Sequence, residues 1–135
     1  VLGEVRSRKR KMNVTGPIKT LIAANVTANG LFAGRVYPGV LEQETAYPAA
    51  AMNVVNMNPN NSKTTASTLD KVSLQIDIYG TAYATTAAAA AAIRGAIDYT
   101  SSGNLTHIEC EGQQDMFSEK PELFRIMQTY SIGYK

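Results

Sequence analysis

Residues 72–99 constrain this chain more than any other stretch. Val72, Leu74, Ile76 and Ile78 alternate with Ser73, Gln75, Asp77 and Tyr79. Strand side chains point to opposite faces with period two, so this segment reads as a half-buried strand. Gly80 breaks it, and Thr81 is placed to cap a following helix with its hydroxyl. That helix is expected over residues 82–99, because it contains the unbroken run Ala87–Ala92. Alanine loses no side-chain entropy on entering a helix. A run of it also makes a thin helix that can lie close to a sheet, with Ile93 and Ile97 as larger anchors one turn apart. Gly95 costs such a helix about 1 kcal/mol relative to alanine, which marks either a close approach or early fraying.

The flanking sequence supplies partners for this strand and helix. Gly16-Pro17 reads as a boundary, with Pro17 suited to the first helical position. Ile18, Leu21, Ile22 and Val26 fall on one helical face, and Asn29-Gly30 is expected to end that helix, with Leu31-Phe32 tucking onto the core. Residues 35–39 read as a short extended segment closed by a turn, and residues 40–47 as an exposed loop. Residues 48–57 hold Met52, Val54, Val55 and Met57 with poor alternation, as in a strand buried on both faces. Residues 105–112 alternate again, with Ile108 and Cys110 on one face and His107, Glu109 and Glu111 on the other. Residues 113–120 read as a polar loop. The last strand puts Phe124, Ile126, Tyr130, Ile132 and Tyr134 on one face, interrupted by Gln128. Hairpins around one strong helix make an α+β domain: an antiparallel or mixed sheet with one long alanine-rich helix and one short N-terminal helix packed on it.

The 135 residues fit a single domain, and 44% hydrophobic with 18% charged residues is the balance of an ordinary globular protein. No apolar run approaches the roughly 18 residues of a membrane span, and no apolar segment follows the basic start, so neither a membrane partner nor a signal peptide is expected. The net charge of +2 is unevenly placed. Arg6, Arg8, Lys9, Arg10 and Lys11 stand against Glu4 alone, which leaves eight basic and ten acidic side chains for the remainder. Residues 1–16 therefore read as a basic extended arm and residues 17–135 as the folded domain. The arm could neutralise phosphates with little sequence preference, or dock on an acidic protein. No aromatic residue interleaves its cations, which disfavours base stacking.

The inventory for chemistry is thin. His107, Glu109 and Glu111 share a strand face, but alternate positions on a strand lie about 7 Å apart and converge poorly on a metal. Cys110 is the only cysteine and His107 the only histidine. Three residues apart on a strand they point to opposite faces, so Cys110 reads as a buried, inert thiol. No phosphate-binding, dinucleotide-binding or nucleophile-elbow motif occurs, so neither a catalytic role nor a cofactor is expected. What stands out instead is the wholly polar stretch 58–68 between two strands, longer than a hairpin needs. Its Asn58, Asn60, Asn61, Lys63 and Thr64 offer hydrogen bonds and one charge to a neighbour.

Leu31-Phe-Ala-Gly-Arg-Val-Tyr-Pro-Gly39 resembles the segment that follows the first helix in the tail completion proteins of long-tailed bacteriophages, and Tyr47-Pro48 resembles the start of their next strand. Val72-Ser-Leu-Gln-Ile-Asp-Ile-Tyr79 with Thr81-Ala-Tyr83 resembles their core. Phe124-Arg125 with Tyr130-Ser-Ile-Gly-Tyr134 resembles their last strand. The resemblance covers residues 17–135 and leaves the basic arm aside. It implies a virion protein of the head–tail junction, assembled in the host cytoplasm. Its subunits would form a ring, typically a hexamer, that terminates the tail tube and meets the head connector, with genomic DNA passing by. The second reading is a small nucleic-acid-binding module that uses the arm.

Overall fold

The computed structural model describes residues 13–41, 45–58, 70–116 and 123–134. In chain order these form helices α1 (Thr15–Ala24) and α2 (Val26–Phe32) and strands β1 (Val36–Pro38), β2 (Ala49–Asn58) and β3 (Asp70–Gly80). Helix α3 (Tyr83–Ile97) and strands β4 (Leu105–Met116) and β5 (Phe124–Tyr134) follow. The five strands make one sheet in the order β1-β2-β3-β5-β4. β1 runs parallel to β2, and the other neighbours are antiparallel. This is the expected α+β class, with a mixed sheet.

The β3 alternation does what its period demands. Val72, Leu74, Ile76 and Ile78 are completely buried beneath the helices, each worth about 1.5–3 kcal/mol of apolar burial. Opposite them on β5 stand Ile132, Tyr130, Gln128 and Ile126. Helix α3 lies across β3 and β5, and α1 and α2 pack against α3. Ala89, Ala90, Ile93 and Ile97 face inward with no exposure, so the alanine run gives the close approach its small side chains allow.

Several boundaries differ from the sequence reading. The N-terminal helix starts at Thr15, inside the stretch read as an arm, and Val14 is already buried. Asn13 stands just before it, its Oδ1 accepting from the Gly16 N–H at 3.1 Å. The helix then divides at Asn25, whose backbone is extended and whose Oδ1 accepts from the Ala28 N–H at 3.0 Å, so that Asn25 caps α2. Val26 consequently turns outward at 88% exposure. Asn29-Gly30 lies within α2, which runs on because Ala28 and Phe32 anchor it in the core; tertiary packing outweighs the local stop signal. It ends at Ala33 in the left-handed region (φ 47°), followed by Gly34 (φ 83°).

The cap of α3 is Ala82, not Thr81, and no side chain serves it. Instead Thr86 Oγ1 donates to the Ala82 carbonyl at 2.7 Å. The glycine that permits close approach is Gly80, where a Cβ would collide with Thr86 Oγ1; Gly95 is exposed with open space around it. In β2 only Ala49–Met52 is buried on both faces, and Val54, Val55 and Met57 are 45, 54 and 41% exposed. Gln113–Met116, read as loop, continue β4 because each pairs with β5.

Candidate functional site

Two polar clusters fix the sheet's two faces. On the helix side, Gln128 is completely buried. Its Nε2 donates to the Ala90 carbonyl of α3 at 2.9 Å and to Gln113 Oε1 at 2.8 Å. Its Oε1 accepts from the Tyr130 hydroxyl at 2.8 Å. Burial holds that hydroxyl far above the ordinary tyrosine range, with nearby Cys110 and Asp98 adding to the effect. The residue that interrupted an apolar face is thus the bridge that ties helix to sheet.

On the other face no described helix covers the sheet. Asp77 is nevertheless 4% exposed. Arg125 Nε and Nη2 both donate to its Oδ1, at 3.2 and 3.1 Å, and Gln75 Nε2 donates to its Oδ2 at 3.0 Å. The guanidinium also lies 5.9 Å from the Tyr79 ring centre. Burial raises the Tyr79 hydroxyl's pKa, partly opposed by the Arg125 charge. Asp77 is the withdrawn member while the Arg125 side chain keeps 26% of its surface, so removing the arginine, which strands the carboxylate, is the costlier change. Sequence reasoning placed Asp77 on the solvated face and missed its partner. A carboxylate between two isoleucines, with an arginine on the closing strand, was the available signal.

The residues examined for chemistry do not come together as a catalytic centre. His107 takes a left-handed backbone (φ 47°) where β4 slips register between Thr106 and Glu109. With Tyr99 (φ 60°), Thr100, Ser101, Thr106, Ile108 and Glu109 it lines an open groove of about 460 Å³. Cys110 is half-buried on the helix side rather than enclosed, its Sγ 3.7 Å from the Gly112 carbonyl. Among the described residues no group of three His, Cys, Asp or Glu side chains is gathered for a metal. Asp98 sits beside Cys110. Burial alone would raise its pKa, but the Cys110 N–H (2.9 Å) and Arg94 Nε (2.9 Å) hold it below the usual carboxylate value.

What the fold does present is edges and ends. β1 flanks β2 only over Ala50–Met52, so among the described residues the outer edge of β2 is unpaired from Asn53 to Asn58. On the opposite side, the Tyr99 N–H bonds the Ile108 carbonyl at 2.6 Å and the Ile108 N–H bonds the Thr100 carbonyl at 3.2 Å. The outer edge of β4 is therefore covered at Ile108 and, among the described residues, unpaired from Glu111 to Met116. The two open stretches lie at opposite ends of the strands. Asn58 is near Asp70 and Tyr134, whereas Met116 is near Arg125 and Gly80. At the latter end Tyr83 stacks edge-on against Phe124, ring centres 6.0 Å apart, and its hydroxyl donates to Asp115 at 3.0 Å. That hydrogen bond raises the tyrosine's pKa.

Asn58 closes β2 opposite Lys71. Asn60, Asn61, Lys63 and Thr64 lie outside the described residues, as do Arg6, Arg8, Lys9, Arg10 and Lys11. Both segments nevertheless join the domain at one place. The backbone N–H of Asn13 donates to the Tyr134 hydroxyl at 3.3 Å, and Tyr134 pairs with Asp70, where the 59–69 connection returns to the sheet.

Comparison with known proteins fits this picture. The model of the family described as tail completion protein gp17 matches residues 17–135. A chain in the solved virion of a native gene transfer agent (GTA) particle superposes with a TM-score of 0.75 at 21% sequence identity, over 90% of this chain and 93% of that one. At that identity the likeness establishes the fold. A search of curated proteins gave no match.

Proposed function

Because the chain belongs to the tail completion protein gp17 family, we propose that it is a ring subunit that terminates the tail tube and joins it to the head connector. Membership makes it a structural tail protein of a phage-like virion, and its partners are other virion proteins. The ring, its six-fold order and the tube-capping role are the reading's finer content. The observation that carries it is the match of residues 17–135, nearly all of the folded domain, to one family. The geometry agrees. The polar cluster at Gln128 ties helix to sheet and that at Asp77 ties strand to strand, while the chemistry left at the surface consists of strand edges and loop ends suited to neighbours.

The nucleic-acid reading draws on the arm alone. Of the five cations among the described residues, Lys19, Arg35, Lys71, Arg94 and Arg125, two are in ion pairs with Asp98 and Asp77. Arg35 donates to the carbonyls of Pro48 and Leu31 at 3.1 Å each. The rest do not form a phosphate track.

Electron microscopy of particles made without this protein tests the proposal. Tails of uncontrolled length, or finished tails that fail to join heads, are expected, together with a ring of this protein at one end of complete tails. Normal tails on normal heads in its absence would refute it.

A further inference from the structure

We propose that the basic arm of one subunit binds the acidic outer strand β4 of the adjacent copy. This rests on the ring reading and names the contact that holds neighbours together. β4 carries Glu109, Glu111 and Asp115 and no lysine or arginine, and all three acids are exposed. Among the described residues neither Glu109 nor Glu111 meets a cation. The strand's outer backbone is unpaired from Glu111 onward, so the surface offers both charge and hydrogen-bonding groups.

Simple continuation of the sheet cannot join two upright copies side by side. The open stretch of β2 lies at the Tyr134 end, and that of β4 lies at the Phe124 end. That offset disfavours edge pairing between level copies and leaves room for a contact made by segments outside the sheet. The arm has the opposite charge, with Arg6, Arg8, Lys9, Arg10 and Lys11 against Glu4, and it joins the domain at Asn13, beside Tyr134.

Lys11 and Arg6 stand two and seven residues before Asn13, so a stretched arm carries its cations about 7–24 Å from the point where it joins the domain, a reach that extends outside its own subunit. The subunit's own β4 is a poorer target. Asn13 sits on the helix side, whereas Glu109 pairs with Ser131 on the uncovered side.

The test uses full-length protein in two charge-reversed forms, Arg8→Glu with Arg10→Glu, and Glu109→Lys with Glu111→Lys. Oligomer formation is followed by native mass spectrometry and by ring assembly on purified tail tubes, with circular dichroism as the control for folding. Each form alone is expected to lose at least tenfold in association, and their equimolar mixture to recover it, with recovery fading as salt is raised. Recovery in a chain carrying all four changes but not in the mixture would place the contact within one subunit and overturn the inference. So would wild-type rings that are indifferent to both reversals, or an arm variant that loses only DNA binding; neither touches the ring reading. Absence of any wild-type ring, free or on tubes, would instead overturn the ring reading itself.

Discussion

Replacing Gln128 by methionine removes the bridge between sheet and α3 while nearly preserving its volume. Three groups lose a partner, and they differ in what they can do next. The Ala90 carbonyl lies inside a helix and keeps its i+4 amide. Gln113 is exposed and can turn to water. The Tyr130 hydroxyl is completely buried and is stranded, which costs about 1–3 kcal/mol. Adding about 1 kcal/mol for the lost bond to Ala90 gives about 2–4 kcal/mol, or a fall in Tm of about 7–14 °C for a domain of this size. Tyr130→Phe alone strands Gln128 Oε1 and should cost about 1–2 kcal/mol. The double variant removes donor and acceptor together. It should be no less stable than Gln128→Met alone, a coupling of about 1–2 kcal/mol between the two sites. Urea unfolding of the four proteins, with the slope m unchanged, measures this directly. Additivity within about 0.5 kcal/mol would refute the reasoning, because the hydroxyl would then not depend on Gln128.

Gly80→Ala should destabilise by about 1–3 kcal/mol through its collision with Thr86, whereas Gly95→Ala, in an open helical position, should stabilise by about 1 kcal/mol; thermal melts of both separate the roles. Ala82→Ser supplies the missing cap of α3 and should raise stability by about 0.5–2 kcal/mol, read in the same melts. Asp98→Asn should be less stable than wild type at neutral pH. Because the folded carboxylate has a depressed pKa, its stabilisation is present above the unfolded value near 4 and lost as pH falls through the folded one, so the two proteins' urea midpoints should converge in acid. Replacing residues 58–68 by Asn-Gly should leave a folded domain, as judged by circular dichroism, that cannot finish tails; normal infectious particles would remove that stretch from the mechanism.

Much of the fold was legible because burial on one face writes itself into the sequence as period two. Val72 to Ile78 and Ile126 to Ile132 are covered by helices on one side only, and the run Ala87–Ala92 follows its helix propensity, although Ala49–Ala51 lies in a strand. The misreadings share a cause, which is that the deciding neighbour lies far along the chain. Gly80 matters because Thr86 arrives above it, and Asn25 can divide the first helix because Phe32 is held in the core. Asp77 is buried by an arginine 48 residues away. Gln113–Met116 alternate weakly because an outermost strand has little to bury, so pairing alone makes them a strand. For the candidate surfaces, the charge of the arm and the polarity of residues 58–68 are visible in sequence. Which strands are outermost, and that both segments meet the domain beside Tyr134, follow only from the order of the sheet.

The β3–β5 pairing runs through eleven successive residue pairs without a bulge, while both flanking pairs, β2–β3 and β4–β5, slip register. Asp77 and Arg125 are bonded diagonally across that uninterrupted ladder. A shift of β5 by one residue would carry Ile126, Tyr130 and Ile132 to the wrong side and would move Arg125 off a carboxylate already withdrawn from water. Misaligned chains are therefore penalised twice, once in apolar surface and once in charge. The irregular outer strands carry no such double constraint, so the alignment of the domain is set at its middle.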